Sequence, residues 1–277
     1  MPKSLKEGRI GLVAGRGTYP RLVLEGARQN GRELVVAAFE GETEPTVASR
    51  GRPSAWLRVG QLGGLVSFFK KQGVDRAIFA GQITPKRLYD LRPDLKALWI
   101  LAQLKERNAA TLFGAVVKEL EKAGIRVLPA TTFMEDHLAK PGLIAGPRPP
   151  LHLSADIKFG WPLAKAVARL NIGQSLVVRK GTVMAVEGFD GTDATLKRGG
   201  LVAGQDATAL KVTAPAQDMR FDVPVIGPKT IQSAAEGKVR TLVLEAGRTL
   251  VLELEEVKKL SERHKITVWG HRGGSAQ

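Results

Sequence analysis

The sequence predicts an α/β protein of two domains: a Rossmann-like N-terminal domain and a distinct α/β C-terminal domain. Three observations carry that expectation. First, a short apolar run, residues 9–15, closes on glycine, gives way to a helical pattern, and is followed by a second apolar run over 33–39. Strands buried on both faces read as continuous apolar runs, and strand, turn, helix, strand is a βα unit with a parallel partner. Second, a Pro/Gly-dense stretch between Ala139 and Pro150 reads as a linker. Third, 277 residues exceed the usual size of one domain. The expected division is residues 1–135, a linker over 136–150, and a second domain over 151–277.

In the first domain the helical pattern runs from Pro20 to Asn30, with Leu22, Val23 and Ala27 on one face and Gly31 as its stop. A strand is expected over 56–59, a helix over 62–72 with Leu65, Phe68 and Phe69 inward, and a buried strand over 76–81 ending at Gly81-Gln82. Amphipathic helices follow over 95–105 and 112–123, then a strand from Arg126. Ligands of open α/β sheets sit beyond the carboxyl ends of the strands, so Gly15, Gly17, Gly81 and Gln82 fall on one rim. Gly15 and Gly17 permit close backbone approach to a ligand. The G-x-G-x-x-G fingerprint is not met, because Pro20 holds its third position. A tight turn without a ligand fits the same residues.

The second domain opens with a helical pattern over 156–170. A hairpin follows, 175–178 with 182–186 around Lys180-Gly181. Beyond it, Thr192 or Asp193 caps a helix running to Arg198, or else Glu187, Asp190 and Asp193 ring a cation or a phosphate-bound water. A strand over 209–213 leads into a loop punctuated by Pro215, Pro224 and Pro228, where Asp218 and Asp222 flank Arg220. Each proline lacks an N–H and turns its neighbour away from helix. The acids suit a metal-held phosphate, and they equally suit a proline-rich turn in solvent. A short helix over 229–236, strands over 239–245 and 250–254, a helix over 256–262 and a strand over 266–269 complete the chain. His271 is expected in a disordered glycine-rich tail.

Composition bounds the chemistry. Without cysteine there is neither disulfide nor thiolate zinc, and the four histidines lack metal-ligand spacing. The net charge of +15 attracts anions. It is spread over both halves, with only Tyr89 to Arg92 as a basic–aromatic patch, so nucleic acid is not an expected partner, whereas an anionic membrane surface is. No leader pattern or long apolar run is visible, which makes the expected address cytoplasmic, with peripheral contact at the inner membrane.

Two segments resemble a known family. Val186-Glu187-Gly188-Phe189-Asp190-Gly191-Thr192-Asp193-Ala194-Thr195-Leu196 is similar to its A-V-E-x-x-E-G-T-D-A-x-L motif, and Gln217-Asp218-Met219-Arg220-Phe221-Asp222-Val223-Pro224-Val225-Ile226-Gly227 to its Q-D-x-R-x-D-L-P-x-x-G motif. Residues 11–17, 79–82, 156–157 and 172–174 support the likeness, which covers nearly the whole chain. The family is the UDP-2,3-diacylglucosamine pyrophosphatase of lipid A synthesis in its LpxI form. The resemblance implies hydrolysis of UDP-2,3-diacylglucosamine to lipid X (2,3-diacylglucosamine 1-phosphate) and UMP, with Mg2+ or another divalent cation. It also implies a homodimer and an active site in the cleft between the domains. On it, Asp222 is the key carboxylate and metal ligand and Asp193 a second catalytic acid. Ala14, Gly15, Gly17, Gly81, Gln82, Thr192, Lys211 and Arg220 bind substrate, with Lys229 an alternative brace for the phosphates. The chain departs from the family pattern at residues 107–111, where a Gly-Asp-Asp-type element is usual, and at Asp190, where the family has Glu. The alternatives are a nucleotide-binding oxidoreductase, with Glu40 the nearest ribose-binding acid, and a non-catalytic protein that binds an anionic glycolipid or nucleic acid.

Overall fold

A computed structural model describes residues 8–83, 93–104 and 109–273. The expected basic–aromatic patch at Tyr89 to Arg92, and Arg107 and Asn108 of the departing segment, lie outside these. The chain divides into two compact units, each α/β as expected. The first takes residues up to Met134 together with Met219–Asp222; the second takes Glu135–Asp218 and everything from Val223 onward.

In the first unit, β1 (Arg9–Ala14), β2 (Leu34–Phe39), β3 (Ser54–Leu57), β4 (Val74–Ala80) and β5 (Arg126–Val127) form a sheet in the order β3-β2-β1-β4-β5. All its pairs are parallel, with Leu12 opposite Val36 on one side and Ile78 on the other. This is the doubly wound order, in which successive crossovers place helices on both faces. The helices are α1 (Tyr19–Gln29), α2 (Pro45–Ala48), α3 (Leu62–Lys71), α4 (Leu95–Gln103) and α5 (Ala109–Lys122). Leu65 and Phe69 of α3 and Val117 and Leu120 of α5 pack on Val35, Ala37 and Ala77 in one core. Fully burying a side chain such as Phe69 contributes about 1.5–3 kcal/mol.

In the second unit a six-stranded sheet runs β6-β13-β11-β9-β7-β8. Its strands are β6 (Gly142–Ala145), β7 (Ser175–Arg179), β8 (Thr182–Val186), β9 (Ala207–Lys211), β11 (Val239–Glu245) and β13 (Thr267–His271). The central β9, β11 and β13 are mutually parallel; β6 and the β7–β8 hairpin flank them antiparallel. β10 (Val225–Ile226) and β12 (Leu250–Val251) make a separate parallel pair. Helix α6 (Leu153–Arg169) covers one face through Ile157, Trp161 and Ala164. Helices α7 (Gly191–Ala203), α8 (Pro228–Glu236) and α9 (Leu254–His264) cover the other through Leu196, Ile231 and Val257.

Three expectations need correction. Residues 136–150 are not a free linker: β6 lies within them and pairs with β13, and Leu138 bridges to Leu250. Gly146, at φ 78°, sits where a Cβ would come 1.9 Å from the Ile266 carbonyl, so it serves close approach at a sheet edge. Edge strands tolerate proline, which is why the composition of a linker and of this edge coincide. The second unit is also discontinuous, since Met219–Asp222 belongs to the first. His271, finally, ends β13, its ring edge-on to Trp161 at 4.6 Å between centroids. Burial lowers its pKa against an opposing pull from Glu245.

Candidate functional site

In the first unit, the ends of β1 and β4 meet as the rim reading requires. The Gly15 N–H donates to the Ala80 carbonyl at 2.8 Å, the Arg16 N–H to Gln82 at 2.8 Å, and the Gln82 N–H back to Arg16 at 3.2 Å. The glycines permit that approach. A Cβ on Gly15 would lie 2.5 Å from the Gln82 carbonyl oxygen, and one on Gly81 (φ 89°) 2.7 Å from that of Arg16. Gly17 (φ 88°) has open space around its Cβ position, and Gly81 and Gln82 are exposed. Ala14 does not face this space: its side chain is wholly buried and its carbonyl accepts from the Thr43 hydroxyl. The exposed part of the rim is therefore Gly17, Gly81 and Gln82.

Met219–Asp222 is fixed by first-unit partners. The Ala130 N–H donates to the Met219 carbonyl at 2.9 Å, and Phe221 stacks on Phe113 with centroids 5.9 Å apart. Arg220 pairs with Glu121 at 2.7 Å. Asp222 is half-buried next to the anchored Phe221. The expected irregular loop is present, its first strand residue being Val225.

In the second unit, the polar group gathers at the carboxyl end of β9. Lys211, the last residue of that strand, donates from Nζ to Thr192 Oγ1 at 2.7 Å. Thr192, in the first turn of α7, donates to Glu187 at 3.1 Å and meets the Ser175 hydroxyl at 3.2 Å. Ser175, Thr192, Lys211 and Thr230 line one small crevice over an apolar floor that includes Leu196 and Ile226. Thr230 lies in the first turn of α8, so the first turns of two helices border this crevice. Free N–H groups and both helix dipoles favour an anion there. Ser175 and Thr230 escaped the sequence reading. Their available signals were a strand start just after Gly173-Gln174 and a threonine three residues after Gly227.

The three acids expected to ring a cation go separate ways. Asp190 accepts from Arg198 at 3.0 Å and from the Gly188 N–H at 3.1 Å; the Arg198 contact first, then that N–H, hold its carboxyl below the usual range. Asp193 pairs with Lys229 at 2.9 Å, and Glu187 accepts from Thr192. Neither Thr192 nor Asp193 caps α7: the N-cap position is Asp190, without a side-chain cap, and the helix extends to Ala203. Among the described residues no group of three or more His, Asp or Glu is arranged to hold a metal. A lysine-centred hydroxyl cluster suits phosphate oxygens and not a cation. Mg2+ bound by one or two carboxylates completes its octahedron with waters and substrate phosphates, so such a site needs no cluster of three.

Comparison with known proteins adds the following. The family models of the LpxI N-terminal and LpxI C-terminal domains match residues 9–137 and 140–269. The UDP-2,3-diacylglucosamine pyrophosphatase LpxI of Caulobacter vibrioides is 31% identical over 260 residues, covering 90% of this chain and 92% of that protein. Among solved structures, the biotin carboxylase domain of Hydrogenobacter thermophilus 2-oxoglutarate carboxylase aligns at 14% identity over 63% of this chain and 35% of its own, with a TM-score of 0.28. Phosphoribosylglycinamide synthetase from Anaerococcus prevotii gives 9% identity, 68% and 42% coverage, and a TM-score of 0.27. The chain spans less than half the length of either structure, and scores of that size carry no argument about fold.

Proposed function

Since the chain belongs to the LpxI family, we propose that it is a hydrolase that cleaves the diphosphate of UDP-2,3-diacylglucosamine, giving 2,3-diacylglucosamine 1-phosphate and UMP. The observation that carries this is the cluster of Lys211, Thr192, Ser175 and Thr230 between two helix N-termini. It is a set of hydrogen-bonding side chains gathered around Thr192 of the family's Gly-Thr-Asp motif.

The chemistry adds one water across P–O–P. The water oxygen bonds to one phosphorus, the bridging bond breaks, and the bridging oxygen leaves on the other phosphate. Asp222 orients that water. Lys211 binds the phosphate oxygens, exchanging a neutral hydroxyl acceptor for an anionic one. The N–H groups opening α7 and α8 add fixed partial charge where the diphosphate is most negative. Asp193, held by Lys229, is the second acid assigned to the site, and Gly17, Gly81 and Gln82 take the nucleotide half. Asp222 is the residue that would hold Mg2+ or another divalent cation, which would supply further charge neutralisation. The reading also includes peripheral contact with anionic membrane and a homodimer. No helix of the described residues is long and apolar enough to cross a membrane.

The test is UMP release from UDP-2,3-diacylglucosamine by the purified chain, with and without EDTA. Asp222→Asn should lower kcat by about 100-fold or more, as expected for loss of a group that acts in the transition state. Turnover of NAD(P)H in place of UMP release would refute the proposal. Vesicle co-sedimentation and sedimentation velocity test the membrane and dimer readings.

A further inference from the structure

Glu245 ends β11 at the carboxyl edge of the three parallel strands, with 8% of its side chain exposed. Lys165, from α6, places its ammonium 3.0 Å from both carboxylate oxygens. Both side chains also hold one residue of the chain leaving β9. The Thr213 N–H and hydroxyl donate to Glu245 at 2.7 and 2.8 Å, while the Thr213 carbonyl accepts from Lys165 at 2.7 Å. Thr213 is wholly buried and lies beyond the last ladder pair of β9, so without this ion pair its peptide groups would be orphaned. Its neighbours are fixed too: the Val212 N–H donates to Gln174 at 2.9 Å and the Ala214 N–H to the Gln217 side chain at 2.8 Å.

A buried ion pair is a poor source of stability, since desolvation costs several kcal/mol per ion and apolar residues of similar volume often do as well. What it supplies here is direction. One acceptor and one donor grip the two peptide groups that flank a single residue, Thr213. That residue joins Lys211, which reaches Thr192, to the Gln217–Asp222 motif. Arg248, its Nε 3.9 Å from Glu245, and His271 are the other titratable groups beside the pair.

We propose that Lys165 and Glu245 are positioning residues: by locking Thr213 they set the orientation of Lys211 and of the motif loop for diphosphate hydrolysis. The catalytic consequence rests on the function proposed above; the locking does not.

The experiment compares full-length Glu245→Gln, Lys165→Met and Lys165→Arg with wild type by peptide-resolved amide hydrogen exchange, thermal melting and steady-state UMP release. Glu245→Gln keeps the side chain's size and one acceptor. Exchange over 212–218 should rise about tenfold, while peptides of β11 and β13 stay within about threefold, the pattern of a local opening. Misplacement of groups remote from the chemistry costs up to about 100-fold. Accordingly kcat should fall about 10- to 100-fold in Glu245→Gln and Lys165→Met with KM within about threefold, and Lys165→Arg, which retains donors for both partners, should recover most of it. Unchanged exchange over 212–218 would overturn the proposal. So would a uniform rise across the second unit with wild-type kcat, which marks the pair as purely structural. A wild-type chain that releases no UMP removes the proposed function instead, and the exchange data then decide the locking by themselves.

Discussion

Replacing Gly15 with alanine tests whether the glycine rim is set by backbone approach. The added Cβ would stand 2.5 Å from the Gln82 carbonyl oxygen and 2.9 Å from the Gln82 nitrogen and the Gly81 carbonyl carbon. All three are backbone atoms, so no side-chain rotation relieves the clash, and β1 and β4 must part at their carboxyl ends. Overpacking of this kind costs about 1–3 kcal/mol. Parting also breaks the reciprocal Arg16–Gln82 hydrogen bonds, each worth about 1 kcal/mol net and less here because both residues are exposed. The total is about 2–4 kcal/mol, or roughly 5–15 °C in the melting of the first unit. Differential scanning calorimetry measures it, with Gly114→Ala as the control. Gly114 lies within α5, has no positive φ and has nothing within 4 Å of its Cβ position, so alanine there should stabilise by about 0.5–1 kcal/mol. A Gly15→Ala chain melting within about 1 °C of wild type would refute the argument.

Three further outcomes follow from the same geometry. Lys211→Met should lower kcat/KM for UMP release by about 10- to 100-fold, the worth of a charge-assisted hydrogen bond, with the fold unchanged by circular dichroism. Phe221→Ala should cost about 1–3 kcal/mol in first-unit stability by removing the stack on Phe113, which urea unfolding reads directly. Burial pushes the Glu245 carboxyl up, but the Thr213 and Lys165 contacts outweigh it and hold the pKa below the ordinary 4.5. The folded form is thus the stronger acid. Its stabilisation is complete above the unfolded value and is lost as pH falls through the lower folded one. Glu245→Gln should therefore flatten the acid limb of the melting temperature below about pH 4.5, an effect absent if the slope matches wild type.

The fold was legible where burial writes a pattern. Residues 34–39 are apolar without a break because β2 is buried on both faces, and Lys180-Gly181 announced the β7–β8 hairpin by its turn chemistry. Prolines and glycines misled at 140–150, because a linker and an edge strand that hugs its neighbour call for the same residues. Of the candidate site, Thr192 and Lys211 were recoverable from the motif and the strand end, and the structure joins them at 2.7 Å. The departure of Met219–Asp222 into the first unit was not recoverable. It depends on Phe221 stacking on Phe113, Met219 accepting from Ala130 and Arg220 pairing with Glu121, all in another part of the chain. Nor was the Lys165–Glu245 pair, whose members are 80 residues apart and meet only because α6 packs across β9 and β11.

The motif segment is therefore held by two unlike kinds of force. At its root, Thr213 is gripped by charge-assisted hydrogen bonds that fix the direction of a peptide group. At its far end, Phe221 is held by apolar stacking, which fixes position but tolerates rotation. Seven residues, 214–220, span the interval, and Pro215 removes one backbone freedom from them. Oriented acid–base chemistry needs a carboxylate whose place and direction are both specified, and neither anchor alone specifies both. The proline-bracketed motif can thus place Asp222 without regular secondary structure around it. That is also why a reading by periodicity finds only a loop there.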